Sequence, residues 1–120
     1  MDILSAEEKL AAWVARTTGT GPVFRGNLPP GVRSGFQLQL VSGIPAGPRR
    51  VNEFTARLKG ISPDRNLLWG SFQALFAALP LEKYSGLLYV DVKSEVLFTQ
   101  EEREGLLLHT GSIELEVSFV

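Results

Sequence analysis

Residues 51–80 read VNEFTARLKGISPDRNLLWGSFQALFAALP. The first nine residues alternate polar and apolar side chains with the two-residue period of a half-buried strand, and Phe54, Ala56 and Leu58 share one face. Ser62-Pro63-Asp64 follows, with an N-cap serine, a proline at the first helical position and an acid in the first turn. The stretch therefore predicts a strand that leads directly into a helix.

The predicted helix carries a stripe of apolar residues at helical spacing, and Trp69 lies beside this stripe. The helix ends before Pro80. Aromatic residues in such a stripe belong to a core far more often than to a cofactor site. We expect one core between this helix and a sheet. Its buried members should include Phe54, Leu68, Phe72, Leu75, Phe76, Val90, Leu115 and Val117.

The remaining elements follow from the same signals. Ser5-Ala6-Glu7-Glu8 has the spacing of a capping box, which predicts an N-terminal helix that ends at Gly19. Residues 42–50 are interpreted as an exposed hairpin arm, and residues 100–105 as a charged turn. Strands are predicted over residues 23–26, 35–41, 51–59, 84–98 and 107–120, with a possible bulge at Gly111.

These elements predict an α+β fold of the order αβββαββ, in which a mostly antiparallel sheet carries two helices packed on one face. A length of 120 residues corresponds to a single domain, 1–120. The hydrophobic content of 44% and the charged content of 21% are typical of a soluble globular chain. The sequence contains no apolar run near the ~20 residues of a membrane helix and no signal-peptide pattern, so we expect cytoplasmic synthesis.

The net charge of −1 hides two stretches of opposite sign. Between Lys9 and Arg65 there are nine basic residues and two acidic ones, whereas residues 66–120 contain three basic and eight acidic residues. This asymmetry does not determine a fold, but it affects what the surface meets, including another copy of the chain.

Catalytic signals are weak. The only histidine, His109, stands in a predicted strand without a serine or an acid at any motif spacing, and the chain has no cysteine. The glycine-rich stretches lack the context of phosphate-binding loops, and Glu101, Glu102 and Glu104 lack the Asp/Asn alternation of a calcium loop. We therefore expect no enzymatic activity, no cofactor and no metal site.

The arginines allow two interpretations. Arg33, Arg49 and Arg50 lie in Gly/Pro-rich segments that could follow a nucleic-acid backbone, but no aromatic residue stands among them for base stacking. Ordinary surface arginines, or arginines that face the acidic surface of a partner, are favoured. A small regulatory or nucleic-acid-associated binding module remains the alternative, with nucleic acid the less favoured ligand.

Several short stretches carry a family resemblance. They are Pro22–Pro29 (PVFRGNLP), Gly35–Gly43 (GFQLQLVSG), the strand from Phe54 to Gly60 that leads into Asp64-Arg65-Asn66, and the closing strand Leu107–Val120. Together with the order of elements, they resemble the small minor-capsid and tail-terminator proteins of tailed bacteriophages and prophages. The resemblance covers most of the chain.

The resemblance implies a structural protein of the virion, made in the host cytoplasm, without catalytic residues, membrane association or a small-molecule substrate. The family implies a homo-oligomeric ring, commonly of six copies, that caps the tail tube and meets the head connector. Its partners would be other copies of itself and the tail-tube and head-connector proteins. Ring size and the station in the virion (tail terminator, tail completion or minor capsid) stay open.

A ring needs a heterologous interface, in which one surface meets a different surface of the next copy. Opposite charges on the two surfaces would orient that contact. We expect a basic surface to face an acidic turn of the next copy. The candidate interface residues are Arg25, Arg33, Pro45, Arg49 and Arg50 on the first surface and Glu101, Glu102 and Glu104 on the second.

Overall fold

The computed structural model describes residues 1–49 and 51–120, and for Arg49 the backbone alone. Two helices, α1 (Ile3–Thr18) and α2 (Arg65–Ala78), combine with a curled, mostly antiparallel sheet of seven strands. The predicted α+β class is therefore correct. The strands are β1 (Val23–Phe24), β2 (Gly35–Ile44), β3 (Asn52–Ser62), β4 (Leu81–Tyr84), β5 (Leu87–Val92), β6 (Leu97–Arg103) and β7 (Leu106–Phe119), and a 3₁₀ turn (Gly47–Arg49) precedes β3.

The long strand β7 organises the sheet. The strand order is β1-β2-β3-β7-β5-β4, and β6 also pairs with β7. On the side of β7 away from β3, β6 pairs with residues 106–112 and β5 pairs with residues 115–119. The pairing of β1 with β2 is parallel, and the other described pairs are antiparallel.

One hydrophobic cluster joins both helices to one face of the sheet. Of the eight predicted core residues, seven are buried: Phe54, Leu68, Phe72, Leu75, Val90, Leu115 and Val117. The prediction for Phe76 is wrong, because its side chain is 38% exposed. Leu68, Phe72 and Leu75 face the sheet, and Phe76 lies about 100° further round the helix than Leu75, on the flank that carries Trp69.

The predicted order αβββαββ is incomplete, because four strands follow α2 instead of two. The predicted strand 84–98 is interrupted twice. Ser85 and Gly86, both with positive φ, form a two-residue hairpin turn between β4 and β5, and residues 93–96 separate β5 from β6. The predicted charged turn 100–105 is also wrong over most of its length. Residues 100–103 pair with β7, and the turn consists only of Glu104 and Gly105, which both have positive φ.

Aspartates cap both helices in place of the predicted serines. Asp2 accepts a hydrogen bond from Ser5 N–H at 2.8 Å, so α1 begins three residues before the predicted capping box. Asp64 accepts from the N–H groups of Asn66 and Leu67 at 2.8 and 3.3 Å. A carboxylate at the N-cap satisfies free N–H groups of the first turn and interacts favourably with the helix dipole.

The predicted arm 42–50 is shorter than expected, because β2 continues to Ile44, which pairs with Glu53 of β3. Beyond the strand, Ala46 N–H donates to Asn52 Oδ1 at 2.9 Å. Arg50, the last predicted arm residue, lies outside the described residues. The bulge considered at Gly111 is not found, since the register of β7 is continuous there against both β3 and β6.

Candidate functional site

The predicted basic surface is spread over several loops. Arg25 follows β1 and forms an ion pair with Glu7 of α1, with Arg25 Nη1 3.6 Å from Glu7 Oε1. Arg33 is exposed in the loop before β2, and Pro45 is exposed just after β2. Arg49 lies in the 3₁₀ turn, and Arg50 lies outside the described residues. The described members therefore border both ends of β2.

Two of the three predicted interface glutamates contact their own chain. Glu101 of β6 forms an ion pair with Lys59 of β3, with 2.7 Å between Oε2 and Nζ. Glu104 accepts a hydrogen bond from Gly31 N–H at 2.9 Å, so the β6–β7 turn is tied to the loop before β2. Glu102, in contrast, is exposed. Glu101 and Glu104 stabilise the fold, and Glu102 is the member best placed to meet a partner.

The sheet face opposite the helices carries a network of charges, except at one end, where Ile61, Leu108 and Thr110 lie on this face by register and are buried. Arg57 Nη2 lies 3.5 Å from Glu114 Oε1, and Lys93 Nζ donates to Thr55 Oγ1 at 3.2 Å. Tyr89 donates to Asp91 Oδ2 at 3.0 Å, and this hydrogen bond raises the pKa of Tyr89. By strand register, the six acidic members of this face outnumber its four basic members. The acidic members are Glu53, Glu82, Asp91, Glu101, Glu114 and Glu116, and the basic members are Arg57, Lys59, Lys93 and Arg103. A polyanion would be repelled by this face.

Aromatic residues form an exposed patch at the junction of α2 and β6. The rings of Trp69 and Phe98 are 5.7 Å apart between centroids, and Arg65 Cζ lies 5.6 Å from the centre of the Phe98 ring. Trp69 is 46% exposed and Phe98 39%. We call Arg65, Trp69, Phe76 and Phe98 the aromatic patch. Trp, Phe and Arg are enriched in protein–protein interfaces, so this composition is typical of an association surface.

A second apolar surface lies at the other end of the strands. Met1, Ile3, Leu4, Ile44 and Val120 are each exposed by 45% or more, and the Met1 amine donates to the Val120 carbonyl at 3.1 Å. Pro45 lines a groove here together with Ile44 and Phe119. By register, Phe98 of the aromatic patch pairs with Gly111 of β7, whereas the second surface adjoins Phe119, eight residues and roughly 26 Å further along that strand.

Several strand edges are unpaired within the described residues, among them those of β1 and β4, and the two longest belong to β2 and β6. β1 pairs with β2 only at Phe36 and Gln37, so the outer side of residues 38–44 has no strand partner. β6 pairs with β7 on one side and with no described strand on the other. Natural edge strands are usually protected by charged residues or proline. Residues 38–44 (LQLVSGI) contain neither, although an irregularity between Leu40 and Ser42 makes Val41 an extra residue.

The features that could support chemistry lie apart. His109 is half-buried beside Arg65, Phe98 and Gln100 in a shallow depression. A separate cavity of about 370 Å³ lies between the end of α1 and the start of α2, and its polar lining consists of hydroxyl and amide side chains, such as Thr18, Ser62 and Asn66. Among residues 1–49 and 51–120, no three His, Asp or Glu side chains form a group that could hold a metal ion.

Neither described helix combines the length and the hydrophobicity that crossing a membrane requires. In comparisons with known proteins, no family model matches the chain, and no curated protein matches it either.

Sequence reasoning missed both the aromatic patch and the unpaired β2 edge. Trp69 and Phe76 stand seven residues apart, which places them on one helix flank, but that spacing does not show whether the flank is covered. For β2 a signal existed, because no charged residue occurs from Ser34 to Gly47. An uncharged strand can be central or an open edge, and only the pairing pattern distinguishes the two.

Proposed function

We propose that this chain is a non-enzymatic structural subunit that associates with its own copies into a ring. In a bacteriophage virion, the ring would lie at the head-proximal end of the tail, in a tail-terminator, tail-completion or minor-capsid role. The observation that carries the proposal is the aromatic patch, where the exposed rings of Trp69 and Phe98 lie at 49° to each other beside Arg65. Burying such residues against a partner gains free energy, at ~25 cal/mol per Å² of apolar surface.

The arrangement of surfaces favours a ring over a symmetric dimer. A two-fold dimer uses one patch twice, whereas a ring joins two different patches. The aromatic patch lies on β6 and α2, and the unpaired part of β2 lies beyond β3 on the other side of β7. The virion role rests on the resemblance of residues 22–29 and 35–43 to the phage family, and it makes tail-tube and head-connector proteins the further partners.

The test is to measure the mass of the purified chain by light scattering over a wide concentration range and to image the concentrated sample by negative-stain electron microscopy. We expect a monomer at low concentration and closed rings at high concentration or in the presence of purified tail tubes. A mass of one protomer under all these conditions would contradict the proposal, and a symmetric dimer would contradict its ring form.

One observation favours the alternative of a nucleic-acid-associated module. Arg65 beside Phe98 and Trp69 joins a cation to aromatic rings, the combination on which bases stack. The excess of acidic residues on the opposite sheet face weighs against it. Fluorescence anisotropy with labelled single-stranded DNA at low salt distinguishes the two, since the ring proposal predicts no binding.

A further inference from the structure

The exposed edges of β2 and β6 have the properties needed to pair with each other across two copies. We propose that residues 38–44 of one copy add as an antiparallel strand to the outer edge of β6 of the next copy, so that the sheet is continuous around the ring. This inference rests on the proposed self-association and names the contact that forms it.

Strand direction favours β6 over β4 as the partner edge. β2, β3, β7 and β6 alternate in direction, because each neighbouring pair is antiparallel. When the next copy keeps the same orientation, its β2 runs opposite to β6 and the alternation continues. β4 runs parallel to β2, because β4–β5 and β5–β7 are both antiparallel. A partner on β4 would therefore form a parallel pair, which is slightly less stable per residue.

Length and side chains also match. The free part of β2 and the whole of β6 each contain seven residues. By register, Leu40 and Phe98 both lie on the helix-bearing face of the sheet. Pairing would bring the half-buried Leu40 of one copy towards the exposed Phe98 of the next, and the aromatic patch would be covered. Main-chain hydrogen bonds and apolar contacts would then act at one interface, as in other cases of strand addition.

Charge complementarity fixes the direction of the contact. In an antiparallel pair the acidic end of β6, with the exposed Glu102, lies near the start of β2 of the next copy. The exposed Arg33 precedes that start. The antiparallel direction therefore places Glu102 of one copy at the same end of the contact as the Arg33 loop of the next copy, and the reverse direction would place them at opposite ends.

The register is compatible with closure. Leu40 pairs with Ala56 of β3, which in turn pairs with Leu115 of β7. Gln100 of β6 pairs with His109, six positions earlier on β7. If Leu40 of one copy lies opposite Gln100 of the next, neighbouring copies are displaced along the strand direction by six residues, or roughly 20 Å. The four strands β2, β3, β7 and β6 of one copy are together roughly 19 Å wide. These lengths correspond to a strand tilt of about 45°, the upper end of the range in closed barrels.

Disulfide trapping tests the pairing, since the chain has no cysteine of its own. Gln39→Cys is combined in turn with Leu97→Cys, Thr99→Cys and Glu101→Cys, which by register lie on the same sheet face as Gln39. We expect one of the three combinations to give intermolecular disulfides, with multimers up to the closed ring on non-reducing gels. Glu82→Cys, exposed on the same face of β4, replaces the β6 cysteine in the matched control.

The outcomes separate the two proposals. Cross-linking through β6 but not through β4 supports the strand addition. Cross-linking through Glu82→Cys instead, or association of all variants without any cross-link, overturns the strand addition and leaves the ring proposal in place. A wild-type chain that stays monomeric at every concentration, and also in the presence of purified tail tubes, overturns both.

Discussion

Gly60 of β3 and Gly111 of β7 lie directly opposite each other in the sheet, beneath the first two turns of α2. A Cβ atom on Gly60 would lie 2.7 Å from Leu68 Cδ1, and one on Gly111 would lie 2.6 Å from Phe72 Cε2. Both distances are shorter than Cβ contacts in real proteins. The two glycines therefore form a flat area that allows α2 to approach the sheet.

Gly111→Ala should destabilise the protein by about 1–3 kcal/mol, because the added methyl overlaps Phe72, which is fully buried and has no space to move into. Gly70→Ala is the matched control. It adds the same methyl within α2 where no atom lies within 4 Å, and it should stabilise by about 0.5–1 kcal/mol. Urea unfolding followed by circular dichroism measures both. Equal effects of the two substitutions would contradict the role of the flat area.

The sequence predicted the elements whose patterns are strong. The two-residue alternation of β3 and the helical spacing of α2 identified their buried faces, apart from Phe76 at the edge of the stripe. The hairpin turn after Tyr84 was not predicted, because Ser85 adopts positive φ at a position where glycine or asparagine is the usual signal. The closeness of Gly111 to Phe72 depends on tertiary packing, which no local pattern contains.

Thr110→Val should stabilise the protein by about 1 kcal/mol. Thr110 is fully buried in β7 and its Oγ1 has no hydrogen-bond partner within the described residues, so folding removes this hydroxyl from water without compensation. Valine has nearly the same shape and lacks the polar atom. Thr110→Ser keeps the hydroxyl, loses the methyl and should destabilise. Thermal unfolding of the three proteins measures the order, and a less stable Thr110→Val protein would indicate that the hydroxyl has a partner such as an ordered water.

The Asp2 cap predicts a pH dependence. The hydrogen bond from Ser5 N–H lowers the pKa of Asp2 below the ordinary aspartate value of 3.8. The carboxylate therefore stabilises the fold above the pKa of the unfolded chain, and this contribution is lost as pH falls through the lower, folded pKa. Asp2→Ala should lower the melting temperature at pH 7, and the difference from wild type should shrink below about pH 4. An equal difference at pH 7 and pH 2 would contradict the cap.

Trp69→Ala should weaken self-association more than it weakens the fold. Trp69 lies in the aromatic patch with nearly half of its surface exposed, so a partner rather than the core would cover it. A central interface residue contributes roughly 2 kcal/mol or more, which corresponds to about a thirtyfold loss of affinity. Leu67→Ala is the control, since Leu67 is 68% exposed on another side of α2. Light scattering against concentration compares them, and equal losses would exclude a specific role for the patch.

The charge asymmetry of the sequence was informative about the candidate interface only in part. It predicted a basic surface that faces an acidic turn of the next copy, but Arg25, Glu101 and Glu104 form contacts inside the protomer. Which charges are already paired depends on contacts between distant residues, such as Glu104 with Gly31. The structure therefore reduces the testable pairs between copies to the exposed residues, Arg33 and Glu102 among them.

Arg33 and Glu102 should be coupled across copies. In the antiparallel arrangement of β2 and β6 these two exposed residues lie at the same end of the contact, so Arg33→Glu or Glu102→Arg alone should weaken association at low salt by up to about fivefold. An exposed ion pair contributes ~0.2–1 kcal/mol, which sets this limit. The double variant Arg33→Glu/Glu102→Arg should recover the wild-type affinity, because the pair is restored with reversed signs.

Both losses of affinity in the single variants should diminish at high salt, where the charges are screened. Light scattering at two salt concentrations measures the cycle. If the double variant loses the sum of the two single losses, the residues do not meet, and the strand direction at the interface is wrong.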